Sequence, residues 1–460
     1  MQNIAFTHLN LFDGKLDSDL QKDVTILVEL EKRGEAVEGT ITQIGPAAEI
    51  EIPPGCRVIA LPGKYVIPGL INAHCHLFGD GKPRALASAP ESIIALFIKL
   101  INSRLGRMYL KSLMRKNAQT ALNAGLTTLR TVGDFGYYDV AIRDEIEAGK
   151  FLGPRLLVSG KGICVTGGHG WFISYVVDNP WDGRKAVRNI LRHGADLIKI
   201  LSTGGVMDSK RLGEAGRPQM TVEEIAAVCD EAHRAGYKVA THCESTLGIR
   251  EALLGGVDSI EHGAPIPDDL IPLFKDNPKA LNGYTTLVST VSAGLDLGEL
   301  GTDVLKISQI VQQNAEMIRD GMISGLKTAI KADIPVGMGT DASVPFVPHY
   351  EFWRELVYYQ HFAGVSNKRA INIATQQNAL LLGVQDITGT LETGKSADFI
   401  VLDENPLDDL MALENVIHVV CRGHLIERPT YKKVKALEEH KAKRFFEKHI
   451  KEAADGLTNT

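Results

Sequence analysis

Short apolar segments that end in polar or glycine-rich turns recur along the central part of the chain, and helix-like stretches separate most of them. Eight segments are strand candidates: GLINAHCHL, GLTTLRTVG, RLLVSGKGI, ADLIKILSTGG, KVATHCE, SIEHG, YTTLVST and IPVGMGTDA. Strands that alternate with helices are typical of a parallel α/β fold. Eight such units predict a (β/α)8 TIM barrel, whose functional side chains lie at the C-terminal ends of the strands.

Both ends of the chain are rich in short strand-like segments. DVTILVEL and RVIALPG precede the barrel segments, and GTLETGKSADFIVLDENP and VIHVVCRGHLIE follow them. We therefore predict one small β-sandwich domain built from residues 1–66 and 386–428. The barrel is expected over 67–385, and a charged helical tail over 429–460.

The composition of the chain limits the binding partners and the cellular compartment that we expect. The 460 residues are 44% hydrophobic and 23% charged, as in a globular protein with a substantial core. The net charge of −6 gives no reason to expect a nucleic-acid partner. The first residues lack signal-peptide features, and no apolar run reaches the ~18 residues of a membrane span. Six scattered cysteines without a CxxC pair indicate reduced thiols, so we expect a cytoplasmic protein without membrane partners.

The first strand candidate ends in two histidines separated by one residue. His74 and His76 project from the same face of a strand, so both imidazoles can reach one metal ion. Imidazole is a good ligand for zinc and its neighbours. Cys75 lies between them and is expected to point to the opposite face.

Lys199 lies in the middle of the apolar strand LIKIL. A buried lysine is costly unless it is paired or neutral. One interpretation is a structural lysine with a carboxylate partner. The other is that burial lowers its pKa, and the neutral amine reacts with carbon dioxide to give an anionic carbamate that can bridge two metal ions.

Three further candidate ligands end later strands. His242 and His262 close two consecutive strand candidates, and Asp341 follows Gly339 and Thr340 at the last one. A carboxylate at that place can bind a metal ion and accept a proton from an activated water as a general base.

Together these motifs resemble the amidohydrolase superfamily over almost the whole chain. VIPGLINAHCH resembles its HxH signature, GTDAS its final aspartate motif, and TGTLETGKSADFIVLDENPLDDL its C-terminal β-domain signature. GADLIKILSTGGV, SIEHG and GGHG resemble the imidazolonepropionase-related branch. That branch contains metal-dependent Xaa-Pro and Xaa-Arg dipeptidases or carboxypeptidases, and hydrolases of other amides such as ochratoxin.

The resemblance implies a binuclear metal centre. Its metal ligands would be His74, His76, Lys199, His242, His262 and Asp341. The first two histidines and the aspartate would bind one ion, the later histidines the second, and carboxylated Lys199 would bridge them. Zinc is the expected metal, although manganese and cobalt suit the same ligands. His169, in TGGHG, matches a loop histidine that contacts the substrate carbonyl. Asn72 departs from the aspartate that many members carry before HxH, but it is not a ligand position.

The function implied is cleavage of a C–N amide or peptide bond by metal-activated hydroxide, with Asp341 and His169 as catalytic residues. A dipeptide with a C-terminal proline or basic residue is the leading substrate, and an N-acyl amino acid or aryl amide is an alternative. The resemblance also suggests a homo-oligomer.

Two other functions remain open from the sequence. One is a mononuclear deaminase or imidazolone-type ring hydrolase, in which Glu244 would shuttle a proton. A deaminase, however, has no need for Lys199. The other is a non-catalytic scaffold, which would be expected to lose ligands.

Two further regions could border the substrate pocket. The long helical stretch from Glu91 to Asn123 is expected to be an elongated barrel helix rather than a lid. His349, close after Asp341, is a candidate for the pocket mouth.

Overall fold

The computed structural model describes residues 2–83 and 91–451. Its N-terminal part contains five strands: β1 Ile4–Leu11, β2 Gln21–Arg33, β3 Ala36–Pro46, β4 Arg57–Ala60 and β5 Tyr65–Pro68. β1, β2 and β3 pair antiparallel in sequence order. β4 and β5 return to pair in parallel with β1.

Parallel strands form the central part of the chain: β6 Leu70–Cys75, β7 Leu126–Thr131, β8 Arg155–Val158, β9 Gly162–Cys164, β10 Ser174–Val176, β11 Ile198–Leu201, β12 Val239–Cys243, β13 Ser259–His262, β14 Thr286–Ser289 and β15 Val336–Met338. They pair as β6-β7-β8 and as β10-β9-β11-β12-β13-β14-β15. Every predicted strand segment contains one of these strands, and RLLVSGKGI is divided between β8 and β9. The parallel α/β fold is confirmed.

Backbone contacts connect the two parallel sheets at both edges of the shorter one. Beside β6, Cys75 forms a parallel bridge with Ala342, and the His76 amide donates to the Ala342 carbonyl over 2.9 Å. Beside β8, the Asp196 amide donates to the Val158 carbonyl over 2.7 Å. The C-terminal ends of β6 and of β11–β15 therefore lie close to one another.

Three strands near the C-terminus complete the N-terminal sheet: β16 Phe399–Leu402, β17 Val416–Cys421 and β18 His424–Glu427. The sheet order is β18-β17-β16-β5-β1-β2-β3, with β4 beside β1. Strands from both chain ends thus share one sheet, and the domain bounds 1–66 and 386–428 stay a prediction. The strands form one continuous sheet in the described part of the chain, and the Ala397 amide donates to Gly39 of β3, which curls the sheet. Phe6 and Phe399 pack edge to face in its core.

Helices lie between and after the parallel strands: α1 Glu91–Ile101, α2 Arg104–Asn123, α3 Tyr138–Glu147, α4 Pro180–Arg192, α5 Val222–Arg234, α6 Thr246–Gly255, α7 Ile271–Lys275, α8 Val291–Glu299, α9 Thr302–Leu305, α10 Gln309–Lys331, α11 Phe352–Ala363, α12 Asn367–Asn372, α13 Asn378–Leu382 and α14 Lys435–Glu439. α5 shows how sequence sets their ends, because Thr221 and Glu224 form a capping box and Gly236 follows at φ 81°. In the described residues, none of the helices has the length and apolar character needed to cross a membrane.

The prediction of one long helix over residues 91–123 is wrong in one respect. The chain breaks into α1 and α2, because the Ser103 hydroxyl accepts a hydrogen bond from the Gly106 amide and starts a new helix. From Leu110 onward, α2 packs in the core through Leu110, Met114 and Ala118. Three side chains of α1 border the central cavity.

The predicted C-terminal helical tail is also only partly helical. α14 has five residues, and a 3₁₀ turn over Lys441–Lys443 and a π-helical segment over Phe446–Lys451 follow it; residues 452–460 lie outside the described part. The tail is anchored by charge, because buried Arg444 donates to Asp296 over 2.8 Å and to Glu351 over 2.7 Å. Lysine and glutamate are frequent in the sequence of the tail, so the sequence did not indicate that Arg444 is buried.

Candidate active site

The predicted site residues converge on one cavity of about 380 Å³ at the C-terminal ends of the parallel strands. Its lining includes every candidate ligand: His74, His76, Lys199, His242, His262 and Asp341. They come from β6, β11, β12, β13 and the turn after β15. His169 lies on the same cavity.

Asp341 faces both histidines of the HxH motif. Its Oδ1 atom is 3.0 Å from Nε2 of His76 and 3.4 Å from Nε2 of His74. Burial acts to raise the pKa of Asp341, but the two histidines outweigh it and hold that pKa well below its usual range. Among the residues that the structure describes, Oδ1 has no hydrogen-bond partner of normal geometry, so its lone pairs are available to a metal ion.

The backbone around Asp341 allows this close approach. Asp341 adopts a left-handed conformation with φ 60°, and its amide donates to the His74 carbonyl over 2.9 Å. A Cβ atom at Gly339 would overlap the side chain of His74. The glycine of the GTD motif therefore lets the last strand lie against the HxH strand.

His242 and His262 form a second group beside the first. Their ring centroids are 4.6 Å apart, and His262 lies 4.8 Å from the ring of His74. Nδ1 of His262 is held by the Thr290 hydroxyl at 2.7 Å. Burial lowers the pKa of both His242 and His262, so the two imidazoles are neutral and keep a lone pair for a metal ion.

The donor atoms satisfy the geometric requirement for metal binding in two overlapping groups. His74, His262 and Asp341 form one, and His242, Glu244 and His262 form the other. Within each group all ligand atoms lie within 4.8 Å of one another. Imidazole nitrogens with a carboxylate oxygen are ligands typical of zinc and similar divalent ions, so these residues fit the expected metals.

Lys199 is buried on β11 and points into the same cavity. Burial is the main cause that lowers its pKa, to about 8. In residues 2–83 and 91–451, no carboxylate lies within ion-pair distance of its ammonium group. The alternative of a structural lysine paired with a carboxylate therefore finds no support in these residues.

A buried charge network beneath the site was missed by the sequence reasoning. Glu261 accepts hydrogen bonds from Arg130 at 2.8 Å, from the Ser259 hydroxyl at 2.5 Å and from Nδ1 of His74 at 2.7 Å. Burial acts to raise the pKa of Glu261, but Arg130 and His74 outweigh it and hold that pKa well below its usual range. Glu261 therefore fixes the Nδ1–H tautomer of His74 and directs Nε2 toward Asp341.

His169 is oriented by a second partner that the sequence did not reveal. Its Nδ1 is 2.6 Å from Asp208, and its ring lies 4.4 Å from that of His242. Burial acts to lower the pKa of His169, but Asp208 outweighs it, so the pKa is raised. A Cβ atom at Gly205 would overlap the His169 ring, so this glycine makes room for the histidine.

Apolar side chains form the outer wall of the cavity. Phe97, Ile98 and Ile101 of α1 contribute to it, together with Leu297 of α8 and Met322 of α10. α1 and the start of α2 therefore cover the site.

His349 does not line the cavity, contrary to expectation. It is buried, and its Nε2 is 2.9 Å from the Gly79 carbonyl oxygen, while burial lowers its pKa to about 4. It therefore supports the turn after β6.

A parallel α/β core with this cluster of histidines, lysine and aspartate at its strand ends defines a class of hydrolases. Residues 65–426 match the amidohydrolase family. The chain belongs to this family. The resemblance seen in the sequence motifs is thereby confirmed.

Individual relatives are similar over most of their length. Ochratoxinase from Aspergillus niger is 28% identical over 398 residues, which cover 79% of this chain and 76% of the relative. The structure of a proposed prolidase from Bifidobacterium longum is 40% identical with a TM-score of 0.83, covering 96% of this chain and 99% of that one. A Xaa-Pro dipeptidase with bound methionine is 31% identical with a TM-score of 0.77, covering 93% and 100%. The protein is a hydrolase that acts on carbon–nitrogen bonds.

Proposed function

We propose that the protein is a binuclear metal-dependent hydrolase that cleaves the amide bond of a dipeptide or N-acyl amino acid. One observation carries the proposal: six candidate ligands from five separate strand ends line one cavity, and Lys199 lies among them without a carboxylate partner in the described part of the chain. In the same proposal, β6–β8 and β11–β15 close into a (β/α)8 barrel through the backbone contacts at Ala342 and Asp196.

Each side chain has a distinct part in holding the ions. His74, His76 and Asp341 would bind the more buried ion, and His242 and His262 the second. The lowered pKa of Lys199, about 8, makes its neutral amine available for carbamate formation with carbon dioxide. Glu261 would hold the His74 imidazole in the tautomer that binds metal.

The reaction follows from the remaining groups. The bound ions would supply an activated water near neutral pH and polarise the scissile carbonyl. Asp341 accepts the proton of the attacking water and delivers it to the leaving nitrogen. His169, with Nδ1 held by Asp208, presents its other ring nitrogen as a hydrogen-bond donor to the substrate carbonyl oxygen.

The cavity wall favours an apolar substrate group. Phe97, Ile101 and Met322 line it, and Asp208 is already engaged by His169. A proline, another apolar residue or an apolar acyl group therefore fits this wall better than a basic C-terminal residue. A preference for proline agrees with the Xaa-Pro dipeptidase among the similar structures.

One observation favours the alternative of a mononuclear deaminase or ring hydrolase. Glu244 lies 3.5 Å from Nε2 of His242, and burial raises the pKa of its carboxyl group to about 8. A protonated glutamate beside a metal-binding histidine could shuttle protons as in a deaminase. The buried Lys199 has no role in that chemistry, so the amide hydrolase is preferred.

Metal analysis separates the two functions. We expect about two ions per chain by elemental analysis, with a reduced content in Lys199→Ala, and hydrolysis of Xaa-Pro dipeptides or N-acyl amino acids in a substrate screen. One ion per chain that is unaffected by Lys199→Ala, together with turnover of a heterocycle, would replace the proposal by the alternative.

A further inference from the structure

Glu244 is a buried carboxylate that has no role in the amide-hydrolase mechanism proposed above. It follows β12 directly, and only 8% of its surface is exposed. Its amide donates to the Thr203 hydroxyl over 3.2 Å, which fixes the backbone. Its Oε2 atom has no hydrogen-bond partner in the described residues. The carboxylate lines the cavity, 3.5 Å from Nε2 of His242.

We propose that Glu244 is a third protein ligand, with His242 and His262, of the second metal ion. The donor atoms of these three residues lie within 4.8 Å of one another. An unpaired carboxylate in a buried site is costly, and a divalent cation between it and two imidazoles removes that cost. Two histidines with one glutamate are an established ligand set for zinc. The inference rests on the proposed function, because it requires a second ion.

The other two carboxylates on the cavity lie closer to neighbouring groups than Glu244 does. Asp208 accepts from His169 and from the Gly170 amide. Asp341 faces His74 and His76. Glu244 Oε2 instead lies 3.5 Å from Nε2 of His242. The same Nε2 atom is 3.4 Å from the Gly204 carbonyl oxygen, which is long for a hydrogen bond. Both groups are positioned to bind a common ion.

If Glu244 is a ligand, the binding of the second ion depends less on Lys199. If His242, His262 and Glu244 hold this ion together, it stays bound when the lysine carries no carbamate. The carbamate then connects the two ions rather than recruiting the second one. Lys199→Ala should therefore weaken binding of the second ion without abolishing it.

The test is zinc binding to metal-depleted protein by isothermal titration calorimetry, with cobalt absorption spectra as a second readout of ligand geometry. In Glu244→Gln we expect the affinity for one of two ions to fall by about 100-fold or more, since even outer-shell partners of metal ligands cost 10–100-fold. The visible cobalt spectrum of that ion should change. Asp208→Asn removes a carboxylate from the same cavity and should leave both zinc affinities unchanged. The double variant Glu244→Gln, Lys199→Ala should bind one ion.

The outcomes separate this inference from the proposed function. Two ions in the unsubstituted protein with unchanged binding and cobalt spectrum in Glu244→Gln would overturn the ligand role and leave the binuclear hydrolase intact. If that variant also loses turnover, Glu244 is a proton carrier. A single ion in the unsubstituted protein would overturn both. Circular dichroism of each variant establishes that the fold is retained.

Discussion

Glu261 accepts a hydrogen bond from Nδ1 of His74 over 2.7 Å and joins β13 to β6 across the interior of the molecule. The contact is stabilised by Arg130, which reaches the same carboxylate at 2.8 Å. Both Glu261 and Arg130 are almost fully buried. The position of a candidate metal ligand therefore depends on a charge pair that faces away from the cavity.

Glu261→Gln should destabilise the protein strongly, because it leaves the Arg130 guanidinium buried without an anion. Loss of one member of a buried pair costs about 3–5 kcal/mol. Urea unfolding of the metal-free protein measures the change. Asp269→Asn is the matched control, since its ion pair with Arg250 is exposed and such pairs contribute less than about 1 kcal/mol. Equal effects of the two substitutions would contradict the role given to Glu261.

Asp341→Asn should retain the fold and lose most of the turnover. An amide cannot accept the proton of the attacking water, and general acid–base catalysis contributes about 10²–10⁴-fold to a rate. The measurement is kcat under excess zinc, with circular dichroism as the test of folding. Asp320→Asn, on an exposed aspartate of α10, should leave kcat unchanged. Near-normal turnover in Asp341→Asn would remove this residue from the mechanism.

Lys199 should form its carbamate more readily as the pH rises from 7 to 9. Only the neutral amine reacts with carbon dioxide, and burial lowers the pKa of Lys199 to about 8, so the neutral fraction rises steeply in this range. Exposed lysines, with a pKa near 10.4, remain almost fully charged there. The ¹³C resonance of protein treated with labelled bicarbonate reports the carbamate. The same resonance in Lys199→Ala, or a signal that does not change with pH, would show that Lys199 is not the modified group.

Phe97→Ala should weaken the binding of apolar substrates. The ring borders the cavity from α1, and burial of a phenylalanine side chain contributes about 1.5–3 kcal/mol, so KM should rise at least about tenfold. Its neighbour Leu96 is 57% exposed and does not line the cavity, which makes Leu96→Ala the control. A KM equal to that of the control would show that α1 does not contact the substrate.

Sequence patterns predicted the parallel strands well because each one combines a short apolar run with a turn signal. β6 ends at Cys75 and β13 ends at His262, each within two residues of the end of the predicted segments GLINAHCHL and SIEHG. The break between α1 and α2 was missed because apolar residues continue across Ser103, and only its capping hydrogen bond reveals the new helix.

The candidate site was predictable only where residues of one chemical type recur at strand ends. Glu261 and Arg130 interrupt apolar strands in the same way as Lys199, so that signal was present but was applied to the lysine alone. Asp208 could not be found, because its contact with His169 spans 39 positions and depends on the fold of two loops.

The β unit shared by the two chain ends sets an order for folding during synthesis. β5 pairs with β16, and the ring of Phe6 meets that of Phe399 with their centroids 5.0 Å apart. The ribosome makes residues 1–68 long before residue 399, so the edge of β5 that pairs with β16 stays unpaired while the parallel core can already assemble. A chain interrupted before β16 displays unpaired strand edges, the feature that chaperones and proteases can use to distinguish unfinished molecules from finished ones.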